Sequence, residues 1–301
     1  MGMIAVDWGT SSFRAYRLDD AGRVLEHRSA AAGLLACQGA FEPVLARQLE
    51  GWKEGTILMA GMVGSRNGWR EVPYVAAPAG VDELAAGLCR IEAASLGGRR
   101  VFIAPGMSHQ PPDGTPEVMR GEETQALGLL DQLAGTGPHT VCLPGTHSKW
   151  VTLQGGRVTG LRTAMTGELY ALLRRHSLLA ALMPPVDIGD GEDLAAFQRG
   201  VEAGKHDGGL LNHLFGVRTQ GLFGTLEAAE ASSYLSGLLI GHELRGLMPP
   251  GTEAVHLVGA AGLLSRYALA LSLMGVQCLL HGETLTARGL FLLGKTLPPA
   301  G

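Results

Sequence analysis

The chain opens on an apolar run, Ile4-Ala-Val6, that meets the acid Asp7 and then the small polar residues Gly9-Thr10-Ser11-Ser12. From Phe13 to Leu18 apolar and polar positions alternate, and Asp19-Asp-Ala-Gly22 separates them from Arg23-Val24-Leu25. An apolar strand, a Gly-Thr-Ser-Ser turn, a period-two strand and a DDAG turn together predict a β-hairpin. The same plan returns near the middle of the chain. Val141-Cys-Leu143 is followed by Pro144-Gly145-Thr146-His147-Ser148, then Lys149-Trp-Val-Thr-Leu153, Gln-Gly-Gly156 and Arg157-Val158. Both copies carry Gly-Thr-x-Ser between strands and Gly-Arg-Val after the second turn, which reads as an internal repeat.

Between and after the hairpins, strand and helix patterns alternate. Apolar periodicity predicts helices over 41–52, 81–94 and 117–134 and strands over 56–60 and 100–104. After the second hairpin it predicts helices over 166–183, 191–203, 208–215 and 225–247, then strand 253–258, helix 261–274, strand 276–280 and helix 284–293. The alternation places both halves in the α/β class. Gly135-Thr-Gly-Pro138 is a cluster of breakers just before the second hairpin, so the predicted boundary gives domains 1–136 and 137–301, with the extra helices of 166–247 in the second.

Composition narrows the picture. The chain has 301 residues, 46% of them hydrophobic and 17% charged, enough to bury two cores and unlike a disordered chain. Its net charge is −4 and its 24 basic residues form no run, so a nucleic-acid partner is not expected. Cys37, Cys89, Cys142 and Cys278 are each more than fifty residues from the next, which excludes a zinc knuckle or a CxxC pair and suits reduced thiols. No apolar stretch reaches the ~18–20 residues of a membrane span. Met1-Gly-Met-Ile lacks the basic and apolar regions of a signal peptide, so the expected location is cytoplasmic with no membrane partner; homo-oligomerisation stays open.

A tight turn rich in Gly, Ser and Thr gathers backbone N–H groups and hydroxyls into one concavity, which phosphate oxygens need. Gly9, Thr10, Ser11 and Ser12 form one such candidate cradle, and Gly145, Thr146, His147, Ser148 and Lys149 the other. Lys149 would be a counter-charge, or an ordinary strand lysine. His147 reads as a donor or spacer rather than a base. The alternative for each turn alone is plain hairpin punctuation. Two matched turns favour a polyphosphate.

Longer strings narrow the chemistry further. Asp7-Trp-Gly-Thr-Ser-Ser-Phe-Arg14, Gly61-Met-Val-Gly-Ser-Arg66-Asn-Gly-Trp69, Pro73-Tyr-Val, Met119-Arg-Gly-Glu-Glu-Thr-Gln125, Pro144-Gly-Thr-His-Ser-Lys-Trp150, Met165-Thr-Gly-Glu168 and Ser233-Tyr-Leu-Ser-Gly-Leu-Leu-Ile-Gly-His-Glu243 span most of the chain. With the duplicated hairpins, they resemble the 2-dehydro-3-deoxygalactonokinase family of the actin, hexokinase and Hsp70 superfamily. The resemblance implies two duplicated actin-like (ribonuclease H-like) domains with a cleft between them. It also implies ATP-dependent phosphorylation of the 6-hydroxyl of a sugar acid, 2-dehydro-3-deoxy-D-galactonate, in galactonate breakdown. Leu143-Pro144 stands where many superfamily members carry an acid two residues before the Gly, so metal organisation rests on Asp7.

On that resemblance, Asp7 would hold hydrated Mg²⁺ against the phosphates of ATP; the alternative is a solvated acid at a strand end. Arg14 would neutralise charge, or be a surface hairpin residue. Glu122 and Glu123 are candidates for accepting the hydroxyl proton, Glu122 ranking first and Glu71 behind both; acids in a first helical turn also simply suit the helix dipole. Ser65, Arg66, Asn67 and Trp69 would bind the sugar acid, with Arg66 as a bidentate fork and Arg70 and Arg120 competing for that role. Gly259, Ala260, Ala261 and Gly262 would leave a flat surface for adenosine; close strand–helix packing would explain the same glycines. Gly289-Leu-Phe-Leu-Leu-Gly294-Lys295-Thr296 satisfies the Walker A expression, but only Leu-Pro-Pro-Ala-Gly follows and no helix can start there. The competing readings are a same-fold phosphohydrolase of polyphosphate or pppGpp, which wants a basic track the charge does not advertise, and an ATP or sugar sensor. A repressor form of the latter would need a helix-turn-helix ahead of the strand at residue 3.

Overall fold

The computed structural model describes residues 2–112, 114–133, 135, 137–185 and 193–298. The first apolar run forms β1 (Met3–Trp8), the alternating run β2 (Phe13–Leu18), and the following segment β3 (Val24–Ala30). β1 and β2 pair antiparallel with Asp7 opposite Arg14, so the expected hairpin forms, and β3 extends it. Helices α1 (Leu34–Cys37) and α2 (Phe41–Gln48) follow, and then β4 (Thr56–Ala60) lies parallel to β1 on its other side. β1 and β4 are nearly continuous in apolar residues because central strands are covered on both faces. Ile4, Val6, Trp8, Ile57 and Met59 share one buried cluster with Phe41 and Leu45 of α2.

The chain continues through β5 (Val75–Ala76), α3 (Val81–Ala86), β6 (Cys89–Ile91), β7 (Arg100–Ile103), β8 (Met107–His109), β9 (Glu117–Met119) and α4 (Glu122–Gly128). The first sheet runs β3-β2-β1-β4-β7-β6, and β5-β8-β9 make a separate small sheet. Two helices expected from periodicity are shorter than predicted. The 81–94 segment stops at Ala86, and Cys89–Ile91 pairs with β7 instead. In 117–134, Glu117–Met119 pairs with β8, and Gly121 at φ +114° separates it from α4; Ala134 lies outside the described residues. In both cases strand pairing with a neighbour overrides local helix preference.

The second half builds β10 (His139–Leu143), β11 (Ser148–Gln154), β12 (Arg157–Ala164), α5 (Thr166–His176), α6 (Leu194–Ala203), α7 (Gly209–Leu222), α8 (Ala228–Leu247), β13 (Ala254–Val258), α9 (Ala261–Leu273), β14 (Gln277–His281) and α10 (Leu285–Gly294). Its sheet runs β12-β11-β10-β13-β14, with β13 parallel to β10 and β14 parallel to β13. That order repeats β3-β2-β1-β4-β7 of the first sheet, so the duplication read from the two hairpins extends to five strands each. The 166–183 helix breaks at Ser177, whose Oγ accepts the Leu179 N–H at 3.0 Å and starts a 3₁₀ turn over Leu178–Leu182. Residues 191 and 192 of the expected 191–203 helix, and Thr136 of the breaker cluster, lie outside the described residues. The 208–215 helix runs on to Leu222.

The chain divides into two compact units, Met1–His139 with Val151–Leu161 and Gly282–Gly301, and Thr140–Trp150 with Arg162–His281. The boundary expected at 136/137 falls three residues from the first crossing, and two later segments return to the first unit. One of these carries α10, which packs on α4 and β1. A Cβ at Gly289 would lie 1.9 Å from the Thr124 carbonyl oxygen. The Walker A-like string is therefore the interior and end of a packed helix, whose glycine serves helix contact. Among the described residues, no helix is long and apolar enough to cross a membrane.

Candidate active site

In the first unit three chain segments meet at the end of β1. Gly61 follows β4 with φ +95°, and a Cβ there would lie 2.8 Å from the Trp8 carbonyl oxygen and 3.4 Å from Asp7 Oδ1. A Cβ at Gly121 would lie 3.2 Å from the Gly61 Cα. Both positions need glycine for conformation and for space. The result puts Asp7, the Gly61 loop and the start of α4 in one corner.

That corner is rich in carboxylates. Burial pushes the Asp7 carboxyl up from 3.8 to about 6; Arg14 opposes the shift, and Glu122 and Glu283 add to it. Arg14 Nη1 lies 3.8 Å from Asp7 Oδ2 and donates to Glu283 Oε1 at 2.8 Å. Arg14 is thus the cross-strand cation of the site, as its register opposite Asp7 requires. Glu283 gave no local signal: it sits between β14 and α10, 269 residues from Arg14, and only the fold brings it here.

The two acids of α4 differ. Glu122 is half-buried and its Oε2 accepts the Arg120 N–H at 3.0 Å. Glu123 is fully buried, with both oxygens accepting the Gly121 N–H, at 2.9 and 2.7 Å. Burial, reinforced by Glu122, raises the Glu123 carboxyl from 4.5 to about 8, so it is mainly neutral at pH 7. A folded-state value above the unfolded one stabilises the fold below the unfolded value, and that stabilisation is lost as pH rises from about 4.5 through about 8. It is worth on the order of a few kcal/mol. Between pH 5 and 9 the wild-type melting temperature is expected to fall further than that of Glu123→Gln; parallel curves would refute the buried, neutral assignment.

The Gly9–Ser12 turn is closed by Gly9 N–H donating to the Ser12 carbonyl at 2.9 Å. The Gly9 and Thr10 carbonyls accept the Leu34 and Leu35 N–H groups at 3.1 and 3.2 Å, which braces the turn on α1 and leaves the Thr10 and Ser11 side chains exposed. In the loop after Gly61, Arg66 and Asn67 are exposed, as is Arg70. Ser65 Oγ is buried, and Trp69 stacks on Phe41 at 6.2 Å as part of the core margin. Arg120 reaches back to this loop: Nη2 donates to the Val72 carbonyl at 2.7 Å and the guanidinium lies 4.4 Å over the Tyr74 ring. Its Nε and Nη1 are buried without a hydrogen-bond partner.

In the second unit, the Gly145–Lys149 turn leads from β10 into β11. Thr146 and His147 are exposed, and His147 Nε2 hydrogen-bonds the Glu168 carboxylate of α5. The Glu168 N–H donates to the Thr146 carbonyl at 3.0 Å. Ser148 and Lys149 are buried, Lys149 Nζ donating to Thr163 Oγ1 at 3.2 Å. Beneath the turn lies a network in which only Ser148 carries a role expected from sequence. Ser148 Oγ bonds Tyr267 Oη at 2.9 Å, Tyr267 donates to Glu243 Oε2 at 2.7 Å, Trp150 Nε1 donates to Glu243 Oε1 at 2.9 Å, and Thr166 Oγ1 donates to the same carboxylate. Burial raises the Glu243 carboxyl while these donors hold it down. The available signal was an acid, Glu243, within the largely buried stretch Ala231–Leu244 of α8.

Beside this network a cavity of about 270 Å³ is lined by Gly145, Thr146, Thr166, Gly167, Ile240 and Tyr267, among others. It joins a polar end at the turn to an apolar wall from α8 and α9. Gly259 follows β13 at φ +153°, its N–H donating to the His281 carbonyl at 3.3 Å, and Ala260, Ala261 and Gly262 are exposed at the start of α9. The predicted residues therefore gather into two sets, one in each unit: Asp7, Gly9–Ser12, Ser65–Trp69 and Arg120–Glu123 in the first, Gly145–Lys149 and Gly259–Gly262 in the second.

A five-strand α/β unit present twice, each with a Gly-Thr-x-Ser turn after its first strand, defines the duplicated actin-like fold. An activator of 2-hydroxyisocaproyl-CoA dehydratase from Clostridium difficile, solved with bound ADPNP, shares the fold over 100% of both chains at a TM-score of 0.52 and 10% identity. Much stronger likenesses single out one branch. Residues 7–293 match the family model described as 2-keto-3-deoxy-galactonokinase, and the chain belongs to that family of sugar-acid kinases. It is 40% identical over 280 residues to the "Probable 2-dehydro-3-deoxygalactonokinase DgoK1" of Rhizobium meliloti (strain 1021), covering 91% of this chain and 90% of that protein. It is 37% identical over 279 residues to the 2-dehydro-3-deoxygalactonokinase of Escherichia coli (strain K12), covering 90% of each. A crystal structure of a 2-dehydro-3-deoxygalactonokinase-type protein from Sinorhizobium meliloti matches 99% of this chain and 100% of its own at a TM-score of 0.87 and 35% identity. The expected fold class and family both hold.

Proposed function

We propose that this kinase transfers the γ-phosphoryl group of ATP to the 6-hydroxyl of 2-dehydro-3-deoxy-D-galactonate, with the acceptor held by the first unit and the nucleotide by the second. The observation that carries this reading is the carboxylate corner, where Asp7 and Glu122 converge on a Gly-rich turn with Arg14 at their side. A phosphoryl-transfer site needs such oxygen donors for a hydrated cation and one carboxylate for the hydroxyl proton. The residues fit Mg²⁺: the donors are hard oxygens, and burial, with the charges of Glu122 and Glu283 added, holds the Asp7 carboxyl above its usual range despite Arg14. Asp7 would hold the ion, which would screen the phosphate charge. Glu122, the half-buried acid, accepts the proton as the O–H oxygen bonds to phosphorus and the bond to the ADP oxygen breaks. Glu123 anchors the turn before α4 and stays out of the chemistry.

In the second unit Gly145, Thr146 and His147 contact phosphate, and the adjoining cavity with Gly259–Gly262 takes the nucleoside. Ser148 and Lys149 support the turn from within. For the sugar acid, Arg66 offers an exposed fork and Arg120 a guanidinium with two uncommitted nitrogens. Truncating the arginine that grips the carboxylate to Ala is expected to cost about 1.5–3 kcal/mol in the sugar-acid specificity constant, with the Michaelis constant for ATP nearly unchanged. Arg66→Ala, Arg70→Ala and Arg120→Ala are measured side by side, alongside ATP consumption on 2-keto-3-deoxy sugar acids and plain hexoses. Normal turnover in all three variants would move the carboxylate contact out of this loop, and turnover of hexoses alone would overturn the substrate.

A further inference from the structure

The second unit carries a surface that phosphoryl transfer does not use. α7 carries apolar residues both toward the core and away from it, yet among its 14 residues only Val217 is buried. Leu210 and Leu214 rest against a core built with α5, α6 and α8. Away from that core, Leu211, Phe215, Leu222 and Phe223 are 85%, 63%, 63% and 83% exposed. The Leu178–Leu182 turn packs on the same helix, where a Cβ at Gly221 would meet Leu182, and its Leu178 is 75% exposed. Large apolar side chains exposed together in this way normally mark an interaction site.

The size of this face matters. Taking about 200 Å² for a phenylalanine side chain and somewhat less for leucine, these five residues expose roughly 600 Å² of apolar surface. That is the upper end of what a monomer shows in one patch, ~300–600 Å². It also matches the apolar share, about 65%, of the ~800 Å² that each partner contributes to a standard homodimer.

The stripe is also complementary to itself. Leu211, Phe215, Arg218 and Leu222 follow i, i+4, i+7, i+11 spacing and so lie along one side of the helix. Read in the opposite direction about a point between residues 216 and 217, Leu211 meets the partner's Leu222 and Phe215 meets the partner's Arg218. Leucine against leucine and guanidinium over a ring are both favourable contacts, and a twofold axis makes each of them twice. Arg218 is the only Asp, Glu, Lys or Arg between Asp207 and Glu227. A charged protein partner would find nothing to read in this segment, and a lipid surface would want a basic polar face that α7 lacks.

We propose that this face binds a second copy of the chain through an antiparallel α7–α7 contact about a twofold axis. The contact is independent of the catalytic assignment. Light scattering on the purified full chain at micromolar concentration is expected to give twice the 31.5 kDa of one chain, and Phe215→Glu and Leu211→Glu to give single-chain mass with unchanged melting and ATP turnover. Orientation is read by mixing Leu211→Cys with Leu222→Cys under mild oxidation, with the wild type, whose Cys89 and Cys278 are partly exposed, as the blank. A disulfide-linked dimer that forms in the mixture above the level of either variant alone supports the antiparallel pair. A monomeric wild type overturns the proposal, whether or not it adheres to phosphatidylserine vesicles. So does a dimer that survives both Glu substitutions, and cross-linking of Leu211→Cys to itself overturns the orientation.

Discussion

Asp7→Asn is expected to keep the fold and lose roughly 10²–10³ in turnover, the scale of one missing electrostatic contact in a transition state. Asparagine has nearly the same shape, and the carboxylate it replaces is held at a cost: burial and the charges of Glu122 and Glu283 push it up to about 6, against the pull of Arg14. Neutralising it removes that cost. The melting temperature should therefore stay level or rise while kcat collapses, a split that a merely structural acid would not produce. Near-wild-type kinetics at saturating Mg²⁺ would end the metal role of Asp7.

Glu122→Gln is expected to lower kcat by about 10²–10⁴, the range for losing a positioned general base, with both Michaelis constants nearly intact. The Gln side-chain oxygen can still accept the Arg120 N–H that Glu122 Oε2 accepts at 3.0 Å, so the turn into α4 persists and only the proposed proton acceptor is lost. Glu123→Gln is the control, because its fully buried carboxyl is already mainly neutral at pH 7. Kinetic assays of the two variants at one pH decide between the adjacent acids. Equal and small losses would leave the hydroxyl proton to another group, and a larger loss at Glu123 would reverse the assignment.

Much of this site was legible because its signals are local. The hairpin register that sets Arg14 opposite Asp7 follows from a two-residue period and a short turn, and the repeated Gly-Thr-x-Ser turn announced the second sheet before its strands could be ordered. The helices predicted over 81–94 and 117–134 are shorter in the structure because their sequences suit helix well enough, and only a neighbouring strand, β7 or β8, turns three residues of each into sheet. Trp69, expected at the substrate, stacks on Phe41 at the core margin and stays partly exposed, a placement its sequence context does not reveal. An aromatic residue in a Gly-rich loop reads the same in sequence whether it faces ligand or core.

By itself the sequence determined the α/β class, the duplication, the family and the two Gly-Thr-x-Ser turns, since each is written in periodicity, turn chemistry or contiguous motif. Tertiary structure decided which acids share an environment. Glu122 and Glu123 are neighbours of the same type, but the start of α4 turns one toward the Asp7 corner and seals the other in the interior, so that one carboxyl keeps access to solvent while desolvation raises the other to about 8. Glu283 reaches Arg14 only through a chain return of 269 residues, and Glu243 gathers Ser148 by way of Tyr267, and Trp150 and Thr166 directly, from three different elements. Burial and long-range proximity are properties of the packed chain, and a carboxylate's charge depends on both.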